Sequence, residues 1–179
     1  QIQSRGLGDV YKRQVVASAR QLKAALPRAI AVVEDPDGEV ASLLRGEGLD
    51  IVVNPRAAGG MGTSIARGVV ASPGASGWLI ALADMPFIPV KVIRQVVDKL
   101  WQGASVVAPV YRDRRGHPVG FSARHAGALM RLAGDKGARG IIRDNRDALV
   151  LIEVDEAGVV MDIDTPDSGH SRVPRTAGP

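Results

Sequence analysis

Asp84 closes an apolar run, Trp78–Ala83, and is followed at once by Met85-Pro86. In an open α/β sheet, ligands collect beyond the carboxyl ends of the strands. A carboxylate there faces the crevice and suits Mg²⁺ carried on a nucleotide phosphate. Pro86 fixes the turn and withholds an amide. An aspartate in this position also caps a following helix, and spacing alone leaves both roles open. Near the other end, Asp162-Ile163-Asp164-Thr165-Pro166 offers two more carboxylates. Strand alternation would put Asp162 and Asp164 on one side, toward the same crevice as Asp84. Asp164 or Thr165 ahead of Pro166 also reads as a helix cap.

The segment Asn54-Pro55-Arg56-Ala57-Ala58-Gly59-Gly60-Met61-Gly62-Thr63-Ser64 is a second centre. Its glycines let a backbone approach a ligand closely. Thr63 and Ser64 then open a helix, whose N-terminus favours an anion or polar group. A flexible turn with a cap has the same appearance. A Walker loop is excluded, because the terminal Lys-Ser/Thr is absent. The third centre is Arg114-Arg115-Gly116-His117-Pro118, where a histidine stands beside two guanidiniums able to take a phosphate. His125 lies in a helical pattern and His170 in a polar tail, and no histidine pair has helical metal spacing. Ser64 and Ser122 lack a nucleophile elbow.

Composition removes several alternatives. The 179 residues hold no cysteine, so disulfides, thiolate metal sites and cysteine nucleophiles are out. No run reaches the ~18 uninterrupted apolar residues of a membrane helix, and no signal peptide is evident. A cytoplasmic enzyme or binding protein is expected. The net charge of +4 does not describe a duplex-binding face. Residues 1–14 hold +2 and residues 165–179 hold +1, leaving the body near neutral. Aromatics are 3%, too few for stacking on bases. No nucleic acid and no membrane partner are expected.

The elements that must position these residues read as alternating strands and helices. Helical spacing runs from Val15 to Leu26, then at 39–46, 63–71, 89–101, 123–133 and 138–143. Apolar strand segments fall at 29–33, 51–53, 78–83, 105–110, 119–122, 148–154 and 159–163. This order predicts βαβ units and a mainly parallel, doubly wound sheet with helices on both faces. The domain is expected over residues 15–167, with a disordered tail at 168–179. Residues 1–14, QIQSRGLGDVYKRQ, follow no period and read as a non-native or disordered segment.

Taken together, GGMGTSIARGV (59–69), LIALADMPFI (79–88), APVYRDRRGHPVGFS (108–122), GDKGARGII (134–142) and DIDTPD (162–167) resemble the molybdenum cofactor cytidylyltransferases. The segments occur in the family's order. The resemblance implies a Rossmann-like nucleotidyltransferase fold that uses CTP and Mg²⁺. It implies attack by the phosphate of molybdopterin on the α-phosphate, with release of pyrophosphate. Asp84 would be catalytic and would hold Mg²⁺ with Asp162 and Asp164. Asn54, Gly59, Gly60, Met61 and Ser64 would bind the nucleotide, and Arg115, Gly116, His117 and Pro118 the acceptor. A molybdoenzyme of the xanthine dehydrogenase type would be a partner. Neighbouring readings are GTP as donor, a sugar or polyol phosphate as acceptor, or a non-catalytic module that hands on the cofactor. The family opens with a strand and a loop of the form LAAGxSxRxGxxK, which QIQSRGLGDVYKRQ does not match. The expectation is therefore a member shortened at its N-terminus, poorly active and less stable.

Overall fold

Val15, Ala19 and Leu22 recur at helical spacing, and their face packs on Ala29, Leu44 and Leu49. That face belongs to α1, Ile2–Ala25, in a computed structural model that describes residues 2–162. The helix expected from Val15 thus runs back to Ile2, so residues 2–14 are helical rather than aperiodic. A helix already nucleated by a packed face extends backwards at little cost. Gln14 is buried, and Lys12 ion-pairs with Glu39 at the start of the next helix. The chain then gives β1 (Ile30–Val33), α2 (Glu39–Gly46) and β2 (Asp50–Val53), a right-to-expectation βαβ unit with parallel pairing.

The rest follows as α3 (Met61–Val70), β3 (Gly77–Ile80), α4 (Val90–Trp101), β4 (Val106–Tyr111), β5 (Arg114–Arg115), β6 (Val119–Ser122), α5 (Ala126–Met130), α6 (Arg139–Asp144) and β7 (Leu149–Glu153). β4 is the hub. β7 pairs with it in parallel, while β5 and β6 pair antiparallel, and β3 joins β6 antiparallel. The α/β architecture stands, with a mixed sheet: the tight β4–β5 turn reverses the chain, so β6 runs back along β4. Pro109 carries no N–H, yet sits in this central strand. Its carbonyl accepts from Gly116 N at 2.8 Å, at the gap between the β6 and β5 pairings. The missing donor would point to that same gap, so no ladder bond is lost.

Helices cover both faces of the sheet. Val106, Ala108, Val119 and Phe121 meet Val69, Leu129, Ile141 and Ile142 on one face. On the other face lies α4, so close that a Cβ on Gly120 would come within 2.8 Å of Val96 and Leu100 side-chain atoms. β1, β2 and β3 contain no fully buried residue, whereas the first four residues of β4 are all buried. Among the described residues β1 pairs only with β2, and β3 only with β6. One edge of each strand therefore has no strand partner. The strand expected at 159–163 is not found: Ala157–Val160 is a 3₁₀ turn. Val159 is buried there, and Gly158 fits against the Phe87 carbonyl, where a Cβ would collide. Single contacts of this kind hold the segment in place of a ladder.

Candidate active site

Asp84 lies in the turn after β3, half-buried. Ser18 of α1 donates to the Ala83 carbonyl at 2.9 Å, which ties that helix to the turn. Met85 and Ile88 sink into a small core with Ile93 of α4. The turn is thereby fixed on both sides of the carboxylate.

Gly116, His117 and Pro118 form the second wall. A Cβ on Gly116 would overlap the Val159 carbonyl, so only glycine fits. The Gly116 amide donates to Pro109 O and the His117 amide to Val159 O, each at 2.8 Å. Pro118 is fully buried. These bonds hold the imidazole between two sets of charges. Burial, then the Arg115 guanidinium, pushes the His117 pKa below the usual imidazole value. Asp84 pulls it up, Arg139 pushes it down and Asp162 pulls it up, in falling order of effect. Both carboxylates and both guanidiniums are therefore within electrostatic reach of one ring. His117 Nδ1 is buried and has no hydrogen-bond partner among the described residues. An orphaned polar atom at such a convergence is where a ligand atom is expected.

The 54–64 segment is built differently from its sequence appearance. Asn54 is 2% exposed. Its Nδ2 donates to Thr63 Oγ1 at 2.9 Å and to Ser64 Oγ at 3.0 Å, and its Oδ1 accepts from Arg56 N at 3.1 Å. Asn54 is thus committed to shaping the loop. Gly60 has φ 92°, and a Cβ there would overlap Gly134. A Cβ on Gly62 would lie 2.7 Å from Ala133 N. The Gly62 amide donates to Gly134 O, and the Gly134 amide to Gly59 O, each at 2.8 Å. The close approach these glycines permit is to the 133–134 backbone. Gly59 and Met61 are exposed and Ser64 is half-buried, so these remain available on the loop surface.

Asp162 is exposed and outside any strand; Asp164 lies outside the described residues. The strand expected to carry the pair is not seen at Asp162, which follows the Ala157–Val160 turn. Among the described residues no group of three or more His, Asp or Glu side chains could hold a metal by itself. Two carboxylates facing one histidine still suit Mg²⁺, which binds through one or two carboxylates together with substrate phosphates. Sequence reasoning missed the GDKGARGII segment as a site. Its Lys136, Gly137 and Arg139 join Arg115, Arg143 and Arg146 around a cavity of about 540 Å³. The signal was present as four basic residues spaced through 136–146.

A βαβ-containing mixed sheet, covered on both faces by helices, with carboxylates and cations gathered about one histidine, defines an α/β domain with a polar site. Residues 10–149 match the MobA-like NTP transferase domain, and the chain belongs to that family. Among solved structures it is similar to Rv0371c from Mycobacterium tuberculosis H37Rv at 27% identity. That match covers 85% of this chain and 78% of the other, with a TM-score of 0.66. The same protein in complex with manganese matches at 26% identity over 79% of this chain and 76% of the other, TM-score 0.64. A nucleotidyl transferase from Methanothermobacter shares the fold at 21% identity, covering 80% and 70%, TM-score 0.65. Comparison with curated proteins returned no match. Among the described residues no helix is long and apolar enough to cross a membrane.

Proposed function

We propose that the chain's nucleotidyl transfer is from CTP to the phosphate of molybdopterin, supported by Mg²⁺. The observation that carries a transfer reaction is the meeting of Asp84, Asp162, Arg115 and Arg139 around His117. An acceptor phosphate oxygen attacks the α-phosphorus of the nucleotide. One P–O bond forms, the bond to the bridging oxygen of the β-phosphate breaks, and pyrophosphate leaves with the electron pair. The attacking phosphate is already anionic, so no proton has to be removed. Reactions of this kind depend on positioning and charge stabilisation.

The chain's own groups divide the work. Asp84 and Asp162 would hold the divalent cation, which supplies charge neutralisation at the phosphates when bound. The complex of the similar protein Rv0371c with manganese supports a divalent ion in this role. Gly59, Met61 and Ser64 offer surface to the nucleobase, with Asn54 and Gly60 keeping the loop in shape. Arg115 and a neutral His117 face the acceptor. The choice of CTP and molybdopterin rests on the resemblance of GGMGTS, RRGHP and DIDTP, and the same resemblance points to a cytoplasmic setting and a molybdoenzyme of the xanthine dehydrogenase type as recipient. The test is a competition assay with CTP and GTP, with molybdopterin as acceptor and pyrophosphate release as readout. CTP should be consumed preferentially; faster turnover of GTP overturns the nucleotide assignment, and absence of pyrophosphate with either overturns the reaction.

A further inference from the structure

The cavity beside β7 is lined by Arg115, Lys136, Arg139, Arg143 and Arg146, with Leu132, Ile142 and Leu149 forming apolar wall, and by no carboxylate. Five exposed cations around one cavity set up a positive field that raises the local concentration of anions. Of the five, only Arg143 has an ion pair among the described residues, with Asp144 at 2.9 Å. Arg115, Lys136, Arg139 and Arg146 make none among those residues. A volume of about 540 Å³ is that of a small organic ligand rather than of a single inorganic phosphate.

Position decides which ligand. Arg115 and Arg139, which line the cavity, also act electrostatically on His117, as do Asp84 and Asp162. The cavity thus shares two of its cations with the surroundings of His117 while containing neither carboxylate. No residue of the 54–64 loop lines it. That loop is instead its neighbour: a Cβ on Gly137 would lie 3.0 Å from Met61 Sδ. A nucleotide on the loop and a second molecule in the cavity would then be neighbours.

We propose that this cavity is the acceptor site and that it selects a small molecule bearing at least two anionic groups. One of them is the attacking phosphate, held by Arg115 and Arg139, and another reaches Lys136 and Arg146. Guanidinium forks grip phosphate and carboxylate groups with two parallel bonds, which suits selection by charge number. The apolar wall takes the uncharged body of the ligand. The proposal rests on the nucleotidyl-transfer reading, and its test separates the two.

The probes are 2,3-bisphosphoglycerate and glycerol 3-phosphate, titrated calorimetrically into the full chain without nucleotide or divalent cation. The bisphosphate should bind about tenfold or more tightly than the monophosphate at equal ionic strength. The double variant Arg139→Gln/Arg146→Gln should lose about tenfold or more of the bisphosphate affinity. The charge-matched pair Arg28→Gln/Lys99→Gln, which lines no part of the cavity, should change it by less than about twofold. Melting curves of both variants confirm folding. Equal binding of the two probes, or equal effects of the two double variants, overturns the proposal. So does a tenfold loss of CTP affinity with Mg²⁺ in Arg139→Gln/Arg146→Gln, which would make the cavity the triphosphate pocket. If the bisphosphate binds as expected but the chain takes up no nucleotide, the anion site stands and the transfer reading falls.

Discussion

His125 shows how one side chain links burial to pH. It is buried, and its ring nitrogen Nε2 lies 2.8 Å from Ser105 Oγ. Burial, then Arg124, holds its pKa below the usual imidazole value, as burial and Arg115 do for His117. The unfolded chain then takes up protons near pH 6.5 that the folded chain refuses. Stability is full above about pH 6.5 and is lost as pH falls below it toward the folded values. Urea midpoints measured between about pH 7.5 and 5.5 should decline, and less steeply in His125→Gln. An unchanged slope in that variant would remove His125 from the account. Asp84 makes a functional prediction at the same scale. It lies in the turn after β3 without serving the core, so Asp84→Asn should cut metal-supported pyrophosphate release by about a hundredfold, a loss of ~2.7 kcal/mol. The melting temperature should stay close to that of the parent. Full turnover at low millimolar Mg²⁺ would exclude Asp84 as a ligand.

At the scale of elements, the loops are held by a few internal bonds. Asn54 supplies three contacts within the 54–64 loop. Asn54→Ala leaves the Arg56 amide without its partner and takes a donor from the Thr63 and Ser64 hydroxyls, Thr63 still donating to Arg56 O and Gly60 O, and should cost about 1–3 kcal/mol in chemical denaturation. A cost below about 0.5 kcal/mol would mean that the loop closes without it. The β4–β5 turn has the opposite character. Arg112 (φ 47°) and Asp113 (φ 63°) both adopt the left-handed region, with the Arg112 guanidinium 5.1 Å above the Tyr111 ring. Two successive left-handed residues make the turn that Asn-Gly or Asp-Gly usually occupies. Replacing Arg112-Asp113 with Asn-Gly should stabilise the chain by about 0.5–1 kcal/mol, read as a rise in the denaturation midpoint. A fall would show that the cation–ring contact outweighs backbone strain.

Among the described residues the sheets leave open edges on β1 and β3, as well as on the outer strands β2, β5 and β7. β1 and β3 are apolar and half-buried, and open edges of this kind template pairing with other chains. The chain should associate with rising concentration, detectable by light scattering and sedimentation. A monodisperse monomer at high concentration would remove the open edges as a weakness.

Residue types and periodicity determined the α/β class, the helix at 39–46 and most of the apolar strands, because period and turn chemistry are local; the strand expected at 159–163 is a turn, and the one expected at 78–83 ends at Ile80. Asp84 after an apolar run and His117 beside Arg115 and Pro118 were visible for the same reason. The sequence could not show which edges pair: β6 runs antiparallel to β4 because Arg112 and Asp113, without a glycine signal, reverse the chain there. Nor could it show what the loop glycines touch. Gly60 and Gly62 look alike whether a ligand or the 133–134 backbone comes close, and only packing chose the latter. The cationic cavity is tertiary in the strictest sense. Arg115 and the cations of 136–146 are well apart along the chain, and their charges act together only because β4 holds the β5 hairpin on one edge and β7 on the other.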